Sequence, residues 1–207
     1  MKTLCTIVIV IGAAVSWGGS APAQTRVEDA PDPYVQQQTD MLFPLRVGNF
    51  VRHEVRRYNE DGSDSGVGYD LNLDREKRAY VSIFVYPAPA VSVAGRAAAC
   101  SRAHDEMKRE ILSHEPTARL SESGTVAAPS DRFKPSGLRA TYDGGSTNFA
   151  GSVQPVHEEA LLFCFAGQKW LLAYRFTWPE KYADTAKPEI EKFLHDLPWP
   201  GALARID

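Results

Sequence analysis

The sequence predicts an α+β domain, an antiparallel sheet with two main helices packed on it as an α/β/α-type sandwich. Three observations predict it. Glu158–Pro179 reads EEALLFCFAGQKWLLAYRFTWP, two apolar runs around a short turn, both too apolar to lie on a surface. Gly68–Leu73 and Arg78–Tyr86 alternate in the two-residue period of strands. Val93–Ser113 and the stretch around Ile190–Leu197 repeat apolar residues at helical spacing.

The start of the chain reads as a leader. Lys2 gives a basic n-region, Leu4–Val15 an apolar core too short to span a bilayer comfortably, and Ala21-Pro22-Ala23 the small residues of a cleavage site. Cleavage is expected after Ala23. Cys5 lies inside the apolar core and not at that site, so no lipid attachment is expected. Removal of residues 1–23 from 207 leaves 184, enough for one domain, and removal of Lys2 takes the formal charge from −3 to −4. That mild acidity argues against nucleic acid as a partner. No later apolar run reaches transmembrane length.

Residues 24–42 are polar, with Pro31, Pro33 and the run Gln36-Gln37-Gln38, and read as an irregular lead-in. The single α+β domain is then expected over 43–207. Asn49–Tyr58 is a first strand, and Arg52, Arg56 and Arg57 mark it as an exposed edge. Asn59–Gly66 is a loop dense in Asp, Gly and Ser. The strands at Gly68–Leu73 and Arg78–Tyr86 complete an antiparallel meander, stopped by Pro87 and Pro89. In the helix that follows, Cys100, Ala103, Met107 and Ile111 share the buried face, with Ser92 as the expected cap. Thr117–Val126 and Gly137–Tyr142 are further strands. Asp143-Gly144-Gly145 reads as a turn, and Phe149–Val156 as a weak return to the sheet.

The hairpin comes next. Gly167 at the first central position suits a type II′ turn. That register sets Phe165 opposite Trp170, Phe163 opposite Leu172 and Leu161 opposite Tyr174. The other face holds Leu162, Cys164, Leu171, Ala173 and Arg175, with Glu158 placed diagonally to form an ion pair with Arg175. The last helix carries Ile190, Phe193 and Leu194, with Asp184 or Thr185 as its cap and Pro188 in its first turn. Two cysteines remain in the mature chain. In an exported protein, a helix on the Cys164 face of the sheet would join Cys100 to Cys164 in a disulfide.

The order of three strands, helix, strands ending in a long hairpin, and helix resembles the Mog1/PsbP-like group, which includes small bacterial envelope proteins of the DcrB type. The segment Ala173-Tyr174-Arg175-Phe176-Thr177-Trp178-Pro179 is similar to one in exported bacterial proteins without an assigned activity. The resemblance implies an antiparallel sheet between helical layers. It transfers no catalytic residue, since the group shares a scaffold more than a chemistry.

The chemistry-bearing residues form no recognisable motif. His53-Glu54 lacks the second histidine of a zinc helix, and His104 and His114 fall on different helix faces, so all five histidines read as solvated and no metal is expected. Gly62-Ser63-Asp64-Ser65-Gly66 has Asp where a nucleophilic serine would stand. Cys164 lies among Phe and Leu, without the electropositive setting of a reactive thiol. The Asp143–Asn148 loop lacks the lysine of a phosphate loop. No catalytic residue and no cofactor are therefore expected. Two candidate binding surfaces are left: the basic strip Arg52, Arg56 and Arg57, and the loop aromatics Phe133, Tyr142 and Phe149. The expectation is an exported protein of the periplasm or extracellular space, a non-enzymatic domain that binds a protein or an envelope component. The rival readings are an enzyme whose site is assembled from distant residues, and an inhibitor or immunity-type protein of an envelope-active enzyme.

Overall fold

The computed structural model describes residues 24–129, 136–149, 151–197 and 199–204. The expected leader 1–23 and Phe133 lie outside them. Among the described residues the fold is α+β and mostly antiparallel sheet. Nine strands form the main sheet: β1 (Thr25–Arg26), β4 (Arg46–Val47), β5 (Phe50–Arg57), β6 (Ser65–Leu73), β7 (Glu76–Pro87), β8 (Arg119–Val126), β9 (Gly137–Phe149), β10 (Ser152–Ala166) and β11 (Trp170–Pro179). The spatial order is β1-β5-β6-β7-β11-β10-β9-β8, with β4 also on β5. A separate two-stranded sheet joins β2 (Tyr34–Gln36) to β3 (Met41–Phe43). The chain builds one half as the meander β5-β6-β7. It then leaves through helix α1 (Arg96–His114), starts again at the far edge with β8, and closes when β11 pairs with β7.

That closure puts β11 in the middle of the sheet, which is why both of its faces are apolar. On one face Leu161, Phe163, Leu172, Tyr174 and Phe176 pack with Ile190 and Phe193 of helix α2 (Ala183–Asp196) and with Met41 and Phe43. Phe163 meets Tyr174 and Trp199 edge-on, at 5.9 and 5.1 Å between ring centroids. On the other face Ala140, Ala160, Leu162, Leu171 and Ala173 pack with Met107 and Ile111 of α1. Each of these buried Leu, Ile or Phe side chains stabilises the fold by about 1.5–3 kcal/mol. The alanines on the α1 side are small enough for the helix to come close. This brings Cys100 and Cys164 to disulfide distance, with 2.03 Å between the sulfurs. No helix among the described residues is long and apolar enough to cross a membrane.

The hairpin register holds at Phe163↔Leu172 and Leu161↔Tyr174 but not at its tip. Ala166, not Phe165, faces Trp170, and the register shifts between Cys164 and Ala166. Phe165 has φ 58°, and Gly167 and Gln168 have φ 52° and 67°. Two positive central φ values belong to a type I′ turn, not to the expected II′ turn. Phe165 is thereby turned out of the aromatic face, and Arg96 lies over its ring. β9 also differs from expectation. Asp143-Gly144-Gly145 does not break the strand: β8 pairs with it as far as Asp143, and β10 carries it on from Gly145 to Phe149.

The helix ends depart from the expected caps. Gly95 precedes α1 and Tyr182 precedes α2, neither with a side-chain capping bond. Pro188 falls beyond the first turn of α2.

Residues 24–42 are woven into the sheet's surroundings. β1 pairs with β5, Gln36 is fully buried, and the Nε2 groups of Gln36 and Gln38 donate to the carbonyls of Gly62 and Asp61. The far edge, β8, exposes seven of its eight residues and pairs only with β9 among the described strands.

Candidate ligand groove

Helix α1 does not cover its whole sheet face. Toward β6 and β7 a groove of about 810 Å³ remains between helix and sheet. Its floor is Phe84, Tyr86, Leu171 and Ala173, neighbours on β7 and β11 through the pairings Phe84↔Ala173 and Tyr86↔Leu171. Its helix wall is Ala99, Ala103, Glu106 and Glu110, which share a helix face at three- and four-residue spacing. The opposite wall is Tyr58 and Asp64 at the two ends of the β5–β6 loop.

That loop is fixed by its own hydrogen bonds. The Tyr58 amide donates to the Asp64 carbonyl at 2.9 Å, and the Asp64 amide donates to Asn59 Oδ1 at 3.0 Å. Asn59 Nδ2 also donates to Ser63 Oγ at 2.7 Å. Tyr58 and Phe84 lie 6.1 Å apart, tilted by 41°. Gly66 makes that possible: a Cβ there would stand 2.9 Å from the Tyr58 hydroxyl and 3.3 Å from Phe84.

Burial governs the electrostatics of the groove. It raises the Asp64 carboxyl above the ordinary carboxylate range and also raises the Tyr58 phenol. Burial first, and then the charges of Asp64, Glu110 and Glu106, push the Tyr86 phenol up to about 12. Three carboxylates therefore bear on one buried hydroxyl. At the groove's end Arg175 Nη1 lies 3.5 Å from Glu110 Oε1. This replaces the expected pair of Arg175 with Glu158: the α1 carboxylate reaches Arg175 first, and Glu158 senses Arg175 only through its charge. Glu158 is buried at 8% exposure beside Thr177, and desolvation raises its pKa. Its cross-strand neighbour Tyr142 holds a buried hydroxyl without a hydrogen-bond partner.

Arg52 of the basic strip and Tyr142 and Phe149 of the aromatic set are buried, not surface groups. Arg52 is buried, and its guanidinium donates to the carbonyls of Ala30, Pro31 and Phe43. It fastens residues 24–42 to the sheet. Arg56 is held by Glu54 at 2.8 Å, and Arg57 packs against Gly62. Tyr142 and Phe149 are each 1% exposed, and Phe149 stacks on Tyr80 at 5.8 Å. His104, expected in solvent, is buried on α1 with Nε2 unpartnered, and burial first, then the Lys108 charge, lowers its pKa. Among the described residues no three His, Cys, Asp or Glu side chains converge as a metal site requires. The groove itself was hidden in the sequence, because its residues come from one strand of the meander, a loop, a helix and the central hairpin. The one local signal was Tyr58 beside a loop rich in Asp and Gly.

No protein-family model, no curated protein and no solved structure matches the chain.

Proposed function

We propose that this chain is an exported binding domain of the periplasm or extracellular space, and that it holds an envelope constituent in the groove between α1 and the sheet. The groove carries the reading. It has the size and the apolar, aromatic lining of a ligand site, with a few convergent charged groups. Its lining among the described residues includes no Ser, Cys, His or Lys, so binding accounts for it better than catalysis. Export is supported by the leader-like start and by a cysteine pair at bonding distance. The two apolar clusters, one with α1 and one with α2, support a sandwich with a helix on each sheet face, as the Mog1/PsbP-like resemblance implies.

The test is amide chemical-shift mapping of the mature protein against a panel of small envelope constituents, repeated with Ala173→Trp to fill the groove. Binders should perturb Phe84, Tyr86 and Ala103 and lose affinity in the filled variant. Binders that map to another face, with affinity unchanged in the variant, would refute the assignment.

A further inference from the structure

Resting on the groove as the ligand site, we propose that it selects a small organic ammonium ion, with the charged head between Asp64 and the faces of Tyr58, Phe84 and Tyr86 and the apolar part along Leu171, Ala173 and Met107.

The first observation is the charge balance. Three carboxylate side chains line the groove, Asp64, Glu106 and Glu110, against two guanidiniums, Arg102 and Arg175, and Gln24 lines it too, so the amino group that cleavage after Ala23 would free there competes with a ligand ammonium. Arg175 is engaged by Glu110 at 3.5 Å. Arg102 is exposed and stands four residues before Glu106 on α1, where opposite charges attract. Arg56, whose charge reaches Tyr58, is held by Glu54. No cation is paired with the half-buried Asp64 among the described ion pairs. A desolvated carboxylate without a counter-ion is costly, and a ligand cation relieves that cost.

The second observation is the aromatic wall around this carboxylate. A cation over a ring face within about 6 Å is attracted by the ring's quadrupole, more strongly where water is excluded. Tyr58 and Phe84 form a tilted pair 6.1 Å apart above Gly66, and Tyr86 is the next outward-alternating residue of β7 on the same face. Tyr58, Phe84, Tyr86 and Asp64 line the same groove. An inorganic cation would leave the apolar floor unused. An anion would meet the carboxylates.

The third observation is rigidity. The Asn59–Asp64 loop is internally hydrogen-bonded and braced from behind by Gln36 and Gln38, so Tyr58 and Asp64 are in position before a ligand arrives. Little ordering remains for the ligand to impose.

The experiment uses three probes of one shape: choline, its neutral carbon isostere tert-butylethanol, and tert-butylacetic acid as the anion. Mature protein is titrated with each, followed by amide shifts. Choline should shift Tyr58, Asp64, Phe84 and Tyr86 and bind about tenfold more tightly than tert-butylethanol, while the anion leaves these amides unmoved. Asp64→Asn should abolish most of the choline preference. Tyr58→Leu, which keeps apolar bulk, should weaken choline and leave tert-butylethanol unchanged. Equal affinity of choline and tert-butylethanol, both in the groove, overturns the ammonium proposal and leaves the groove standing as a ligand site. Shifts on another face, or none with any probe, overturn both.

Discussion

Replacing both Cys100 and Cys164 with Ala tests how α1 is held to the sheet. The two cysteines are 64 residues apart, and the loop they close contains β8, β9 and most of β10. In the chain-entropy picture a cross-link over a loop of that length stabilises the fold by about 4 kcal/mol at 25 °C, by restricting the unfolded chain. Both side chains are only half-buried, so the loss of their packing adds little. The assay is guanidinium unfolding of the oxidised protein and of the double variant, extrapolated to water. The variant should lose about 4 kcal/mol and show a steeper denaturant dependence, since its unfolded chain exposes more surface. A loss below about 1 kcal/mol with an unchanged slope would refute the argument. So would two titratable thiols in denatured wild-type protein.

Arg52 and Glu158 give two further tests. Arg52→Leu leaves the Ala30, Pro31 and Phe43 carbonyls without their donor and should cost about 3–5 kcal/mol by chemical denaturation. A loss under about 1 kcal/mol would mean that residues 24–42 do not depend on this anchor. Glu158 has a folded pKa raised above its ordinary 4.5, so the native state binds its proton more tightly than the unfolded state does. Its contribution is then favourable below 4.5 and is lost as pH rises through the folded pKa. Glu158→Gln should flatten the fall in stability between pH 4.5 and the folded pKa, measured as unfolding free energy against pH; an unchanged slope in that window would remove Glu158 as its source.

What the sequence reveals and what it hides divide on physical grounds. The register of Phe163 against Leu172 was legible because a one-residue slip would throw every bulky side chain to the wrong face. The approach of Cys100 to Cys164 was legible from the helix face and the strand face that carry them. The tip was not, because a bulge at Phe165 depends on backbone geometry that Gly167 permits but does not dictate. The Asp143-Gly144-Gly145 run looked like a turn, since local propensity cannot anticipate the distant pairing with β10 that carries the strand on to Phe149. Arg52 looked like its exposed neighbours because its three acceptors lie 9 to 22 residues away in the chain. The groove escaped for the same reason: Tyr58, Phe84, Ala103 and Ala173 share no local pattern and meet only in the folded sheet.

The far edge of the sheet bears on whether the fold can be extended by another chain. A strand with seven exposed residues at a sheet margin offers its outer peptide groups to any other strand that can lie flat against it. β8 is not flat: its register with β9 shifts between Leu120 and Glu122, and such a shift bends the strand and increases its twist. Another chain aligning with it would lose regular spacing after two residues. Beyond that break it would meet Glu122, whose charge Arg139 holds at 3.7 Å. One unpaired residue, Ser121, thus separates a sheet margin that ends the fold from one that would extend it into a neighbouring molecule.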